Sequence, residues 1–295
     1  MSSRPDSAPD SAPDFALSRP SGSVRTQGAA STFTDVWSAV QALDKGAVDM
    51  IVGALPFDRD APAALTVPER IVREPGCLQP HEYYRTGPGA VVNARLVGYD
   101  PEPREHLRRV EAAIDTIRES LLDKVVLARA VDFEFDPPVD PRLVAARLID
   151  LSHTRDGFMA DLSPAGLKGH TIVGSSPELL IRREGRNIYS YPLAGSAPRN
   201  PENPEADAAA GQELAASEKN LEEHSYVVEH IREILEPLCA ELNIPSRPQL
   251  EATNEMWHLA TPISGVLKDP APSALELAAK LYPTPAVCGT PQHAA

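Results

Sequence analysis

Apolar residues recur at intervals of three and four from Glu105 to Leu122 (Leu107, Val110, Ile114, Ile117, Leu121), which predicts an amphipathic helix. The helix delivers the chain into Lys124-Val125-Val126-Leu127-Ala128-Arg129-Ala130-Val131, a run that reads as a buried strand. Upstream, Val36, Trp37, Val40 and Leu43 predict a helix, and Met50 to Leu55 a short buried strand. Extended segments are expected at 64–72 and 90–99. Residues 171–192 read as a hairpin turning at Glu184-Gly185-Arg186-Asn187. A long helix follows over 206–242, carrying Leu214, Leu221, Val228, Ile231, Leu235, Leu238 and Leu242, with Pro237 marking a kink or break. Then come a strand over 256–267, a helix over 274–281 and a Pro/Gly-rich loop over 283–291. Hairpins and helices mix without βαβ alternation, so the fold class is α+β.

Residues 1–28 are rich in Ser, Pro, Asp and Gly, a composition that reads as a flexible tail before a domain spanning 29–295. The balance of 28 basic against 42 acidic residues gives a net charge of −14, which disfavours nucleic acid and anionic membranes as partners. An anionic substrate would therefore need a local cluster of cations, backbone donors or a metal ion. Cys77, Cys239 and Cys288 are odd in number and widely spaced, so neither a disulfide framework nor a zinc site is expected. With no apolar run of signal-peptide or bilayer-spanning kind, the expected location is the cytoplasm.

Six segments occur in an order that resembles the motif set of chorismate-binding enzymes. They are Asp123 to Arg129, Gly174-Ser175-Ser176-Pro177-Glu178-Leu179-Leu180, Pro192 to Ala197, Ser217-Glu218-Lys219 through Glu223-His224, Trp257 to Pro262, and Pro283 to Gly289. The resemblance is closest to isochorismate synthases of the siderophore-pathway kind. It implies an aminodeoxychorismate synthase-like α+β fold with a β-sandwich core flanked by helices, chorismate as substrate and Mg²⁺ as cofactor. It also implies that the chain stops before the family's C-terminal segment, which would leave a fragment or half of a split enzyme as an alternative to an active synthase.

By motif position Lys124 corresponds to the family's general base and Glu178 to its general acid. A lysine in that role needs a depressed pKa, which desolvation supplies; a strand-end lysine reaching solvent is the plain alternative. Glu178 must hold a proton near neutral pH, though in isolation it reads as a surface carboxylate. Glu223 shares a helix face with Val227 and Ile234, so its carboxylate points inward, away from Glu222 and Glu229, and needs a partner. The resemblance makes that partner Mg²⁺; the alternative is a basic residue on a neighbouring element. Asn220 stands where the family carries an acidic residue.

Gly195 and Ser196 resemble the turn where backbone donors approach the ligand, and His258, Ala286 and Val287 correspond to pocket positions. Anthranilate, aminodeoxychorismate and salicylate synthases share most of these motifs. Family members that install an amine or eliminate pyruvate tend to carry Thr where this chain has Ala286, so the resemblance favours isochorismate synthase over salicylate synthase. Cys288 reads as a small buried thiol, because no motif pairs it with a base.

Overall fold

A computed structural model describes residues 13–85 and 92–295. The chain divides into two compact units. One comprises residues up to Arg95 together with Glu134–Pro177; the other comprises Leu96–Phe133 together with Glu178–Ala295. This replaces the expected single domain from residue 29 onward.

The first unit is built on an antiparallel six-stranded sheet in the order β3-β4-β2-β1-β8-β9. Its strands are β1 (Phe15–Arg19), β2 (Gly22–Phe33), β3 (Val52–Ala54), β4 (Ala64–Glu74), β8 (Gly157–Asp161) and β9 (Thr171–Gly174). The α-helices among this unit's described residues are α1 (Val36–Asp44), α2 (Glu82–Arg85) and α4 (Pro141–Leu151). Asp140 caps α4 by accepting from the Arg142 amide, and Pro141 fits the first helical turn. Ala145 and Ile149 of α4 then close on Ala16, Leu78 and Met159 as a core.

The expected tail is corrected here, since residues 15–28 lie in β1 and β2; residues 1–12 fall outside the described residues. Among the small polar residues that suggested disorder, Ser18, Ser23 and Thr26 are buried. Ser18 is fully buried, donates to the Arg155 carbonyl at 2.7 Å and accepts from the Leu78 amide at 2.9 Å.

In the second unit β10 (Leu179–Glu184), β11 (Asn187–Tyr191), β16 (Ile263–Leu267) and β13 (Cys239–Asn243) form a four-stranded sheet in the order β10-β11-β16-β13. A three-stranded sheet runs β12 (Leu193–Pro198), β15 (Met256–Ala260), β14 (Gln249–Ala252). Two small pairs complete the unit: β5 (Ala94–Asp100) with β7 (Ala130–Phe135), of which residues 96–100 and 130–133 fall in this unit, and β6 (Lys124–Val125) with β17 (Gly289–Thr290). The helices are α3 (Pro103–Glu119), α5 (Pro204–Ala216), α6 (Glu218–Leu235) and α7 (Ala274–Leu281). Val227, Ile231 and Leu235 of α6 meet Leu277 and Leu281 of α7 over Ile188, Ile263 and Leu267. Among the described residues no helix is long and apolar enough to cross a membrane.

Three expected elements are redrawn. The helix over 206–242 breaks at Ser217, whose hydroxyl accepts from the Asn220 amide and starts α6 afresh; it ends at Leu235, and residues 239–243 form β13. The strand over 256–267 divides at Thr261-Pro262. Of the strand over 124–131 only Lys124 and Val125 pair with β17, while residues 126–129 leave the ladder before β7.

Candidate active site

Lys124 is placed by a short two-strand pairing with close backbone contact. Val125 lies opposite Gly289 and Lys124 opposite Thr290, while the Val126 amide donates to the Cys288 carbonyl at 2.6 Å. A Cβ on Gly289 would stand 2.2 Å from the Lys124 carbonyl oxygen, so a residue with any side chain would force the strands apart. This pairing brings the loop 283–288 over the lysine. The Lys124 side chain is 9% exposed, its ammonium donates to the Pro285 carbonyl, and Nζ stands 3.8 Å from Glu223 Oε1.

Burial pushes the Lys124 amine below its ordinary value, against the pull of the Glu223 carboxylate and the Cys288 thiol. The source of that burial differs from the sequence expectation. Val126, Ala128 and Ala130, the apolar residues that alternate with Lys124 along the expected buried strand and would share its face there, are exposed. The loop carrying Pro285, Cys288 and Gly289 covers it instead.

Lys124 and Glu223 line one cleft of about 630 Å³ within the second unit, together with Asp123, Val125, Val126, Leu127, Lys219, Glu222 and Tyr226. Sequence reasoning missed Lys219 and Tyr226, and it turned Glu222 away from the site. Positions 219, 222, 223 and 226 follow helical spacing along one side of α6, a signal available once Glu223 is taken as facing inward. Glu223, a third exposed, has the basic partner that the inward-facing reading allowed, namely Lys124.

Gly195 has a φ of +79°, and a Cβ there would meet the Asn220 Cβ and carbonyl oxygen at 3.2 Å and Leu259 Cδ1 at 3.3 Å. The turn thus presses against α6 one helical turn before Glu223. Ser196 Oγ lies 2.8 Å from His258 Nδ1, its direct partner across β12 and β15. Burial lowers the His258 pKa, opposed by Glu251 on the next strand. Glu178 immediately precedes β10 and is half-buried; it does not line the cleft. Ala286 rests against the α6/α7 core, whereas Val287 is 51% exposed, and neither lines the cleft. Cys288 is buried, and its thiol donates to the Thr284 carbonyl at 3.1 Å.

As a metal centre the site is sparse. Among the described residues no group of three His, Cys, Asp or Glu could enclose an ion. Glu223 nonetheless turns a carboxylate into the cleft beside Glu222, and Mg²⁺ is commonly held by one or two carboxylates with water and substrate oxygens. The donors fit an ion completed by its substrate, not a protein cage.

The chain belongs to the chorismate binding enzyme family, whose model matches residues 85–295. MenF of Mycobacterium tuberculosis, described as a candidate isochorismate synthase, is 42% identical over 285 residues, 95% of this chain and 75% of that protein. The isochorismate synthase DhbC of Bacillus subtilis is 40% identical over 245 residues, 82% of this chain and 60% of that protein. The crystal structure of DhbC from Bacillus anthracis, described as a candidate 2,3-dihydroxybenzoate-specific isochorismate synthase, superposes with a TM-score of 0.83 at 31% identity, over 95% of this chain and 75% of that one.

Proposed function

We propose that this protein is an isochorismate synthase acting in siderophore biosynthesis. The observation that carries the reaction is Lys124, a buried amine with lowered pKa opening on the cleft that holds Glu223. In the reaction, water adds at C2 of chorismate while the C4 hydroxyl departs and the ring double bonds shift. Lys124, neutral at the start, takes a proton from the water as the C2–O bond forms. Glu178 gives a proton to the oxygen leaving C4, so one water enters and one leaves. Proton exchange with solvent restores both groups. Gly195, Ser196 and His258 are assigned to substrate binding, with Ala286 and Val287 shaping the loop beside Lys124.

Magnesium, when bound, would be held by Glu223 and would offset negative charge on the substrate's ring carboxylate. Glu223→Gln is expected to raise the Mg²⁺ concentration for half-maximal activity by about ten-fold or more, since charge is lost at a hard-cation ligand. An unchanged magnesium titration would assign Glu223 to the ion pair with Lys124 alone.

The test of the function is product analysis after incubation with chorismate and Mg²⁺. Isochorismate without salicylate, pyruvate or anthranilate is the expected result; salicylate as the main product would favour the salicylate synthase reading. Ala286→Thr is expected to slow isochorismate formation or divert part of the flux to salicylate and pyruvate, by about 1–3 kcal/mol in relative barrier heights. An unaltered product ratio would remove the basis for choosing by this position. The siderophore assignment rests on the DhbC resemblance. Its check is growth of a deletion strain in low iron, which added 2,3-dihydroxybenzoate should restore; restoration only by a quinone precursor would move the protein to the other branch.

A further inference from the structure

His224 follows Glu223 on α6 and is 2% exposed, with both ring nitrogens engaged. Nδ1 lies 3.0 Å from the Ala194 carbonyl oxygen and Nε2 lies 2.6 Å from Thr261 Oγ1. A carbonyl oxygen only accepts, so Nδ1 carries the proton. With the proton on Nδ1, the Nε2 lone pair faces the Thr261 hydroxyl, which donates to it. The ring therefore ties α6 to two other places at once: β12 just before the Gly195 turn, and the end of β15.

Those ties have a geometric consequence. Asn220 lies close enough to Gly195 to leave little room for a side chain there, and His224 bonds Ala194, so α6 meets β12 at two points one helical turn apart. Successive side chains on a helix are separated by about 100° of rotation, so fixing His224 also fixes the direction of Glu223. We infer that His224 and Thr261 form a positioning pair that sets the rotation of α6, aiming Glu223 into the cleft beside Lys124 and holding the Gly195 turn. Neither residue touches the reacting atoms. The competing account is a buried histidine that serves stability alone.

The inference rests on the isochorismate synthase reading, and the experiment separates the two. Thr261→Val keeps the shape and removes only the hydroxyl; His224→Asn keeps a donor for Ala194 and gives up the Thr261 bond. Both are expected to unfold cooperatively, to lose about ten-fold to a hundred-fold in kcat/KM, and to need more Mg²⁺, because small misplacements at a site are costly. His224→Asn should retain more activity than His224→Ala. In a double-mutant cycle the Thr261→Val loss should largely vanish in a Glu223→Gln background, since the pair acts through Glu223. Amide exchange at Gly195 and Ser196 should quicken in Thr261→Val, a readout that needs no turnover. Folded variants with kcat/KM within about two-fold of wild type, additive losses in the cycle, or unchanged exchange at Gly195 would each overturn the positioning role. Failure of the parent chain to make isochorismate would instead refute the function, and the exchange measurement would then decide the positioning role.

Discussion

Replacing Lys124 with Met is expected to lower isochorismate formation by about 10²–10⁴-fold, the range that a positioned general base contributes. Chorismate affinity should change little, because the base acts on water and not on the ground-state ligand. The same substitution separates function from stability. The folded-state pKa of Lys124 lies below its ordinary value of 10.5, with burial as the leading cause. Burial thus disfavours the charged form in the folded chain relative to the unfolded one. The linked contribution to stability is fully present above pH 10.5 and is lost as pH falls through the folded pKa, where the fold must bury a charge. Lys124→Met, which never charges, should melt at or above the parent temperature at pH 7, and its advantage should shrink as pH rises toward 10.5. Thermal scans at pH 7 and about pH 9.5 supply the comparison. Turnover within about ten-fold of the parent would sink the base assignment, and a variant that is much less stable at every pH would show that the bonds to Pro285 and Glu223 outweigh desolvation.

The pattern that was legible in the sequence belongs to the local elements. The helix at Ala274–Leu281 and the strands flanking Glu184-Gly185-Arg186-Asn187 were readable because period and turn chemistry agree there. The break at Ser217 was harder to see. Leucines continue at near-heptad spacing through Leu214 and Leu221, and a serine cap inside a periodic run has no strong signature unless it is weighed as an N-cap. Residues 239–243 show the opposite difficulty: Cys239 is buried and Leu242 keeps the helical period, yet pairing with β16 decides for strand. Residues 15–28 read as a tail in the sequence because their average composition is polar and small. Their burial depends on small side chains such as Ala16, Ser18 and Ser23 fitting between β2, β4 and β8, which no local average registers.

For the site, residue types were legible and the contacts were not. Lys124 was singled out by its motif, but its shielding comes from a loop about 160 residues away in sequence, recorded in the Lys124 to Pro285 bond with a separation of 161. Glu223 was expected to need a partner, and helical periodicity alone could not say whether that partner was a cation on another strand or an ion. Lys219, Glu222 and Tyr226 join it because they lie within one turn of it on α6, toward the same cleft. His224 shows the limit most clearly. Its neighbour Glu223 drew attention, while the histidine's role depends on Ala194 and Thr261, thirty and thirty-seven positions away.

Glu178→Gln is expected to lower kcat by about 10²–10⁴-fold with KM for chorismate within a few-fold, the pattern of an acid needed only as the C4–O bond breaks. The amide keeps the volume and the hydrogen-bonding outline of the carboxyl but has no proton to transfer. Glu178 is half-buried just before β10, and the strand it leads into is held by pairing of Leu179 with Tyr191 and by the Ser190 hydroxyl donating to the Leu180 carbonyl at 2.7 Å. Leu180 and Ile181 then rest against the α6/α7 core, and a thermal scan of the variant separates a loss of kcat from a loss of fold. The two carboxamide variants should also differ in kind. Glu223→Gln should respond to added Mg²⁺, whereas Glu178→Gln should stay slow at saturating metal, because concentration cannot replace a missing acid. A normal kcat in Glu178→Gln would show that another group protonates the leaving hydroxyl, and the acid would then have to be sought among the carboxyl groups that do line the Lys124 cleft, Asp123 and Glu222.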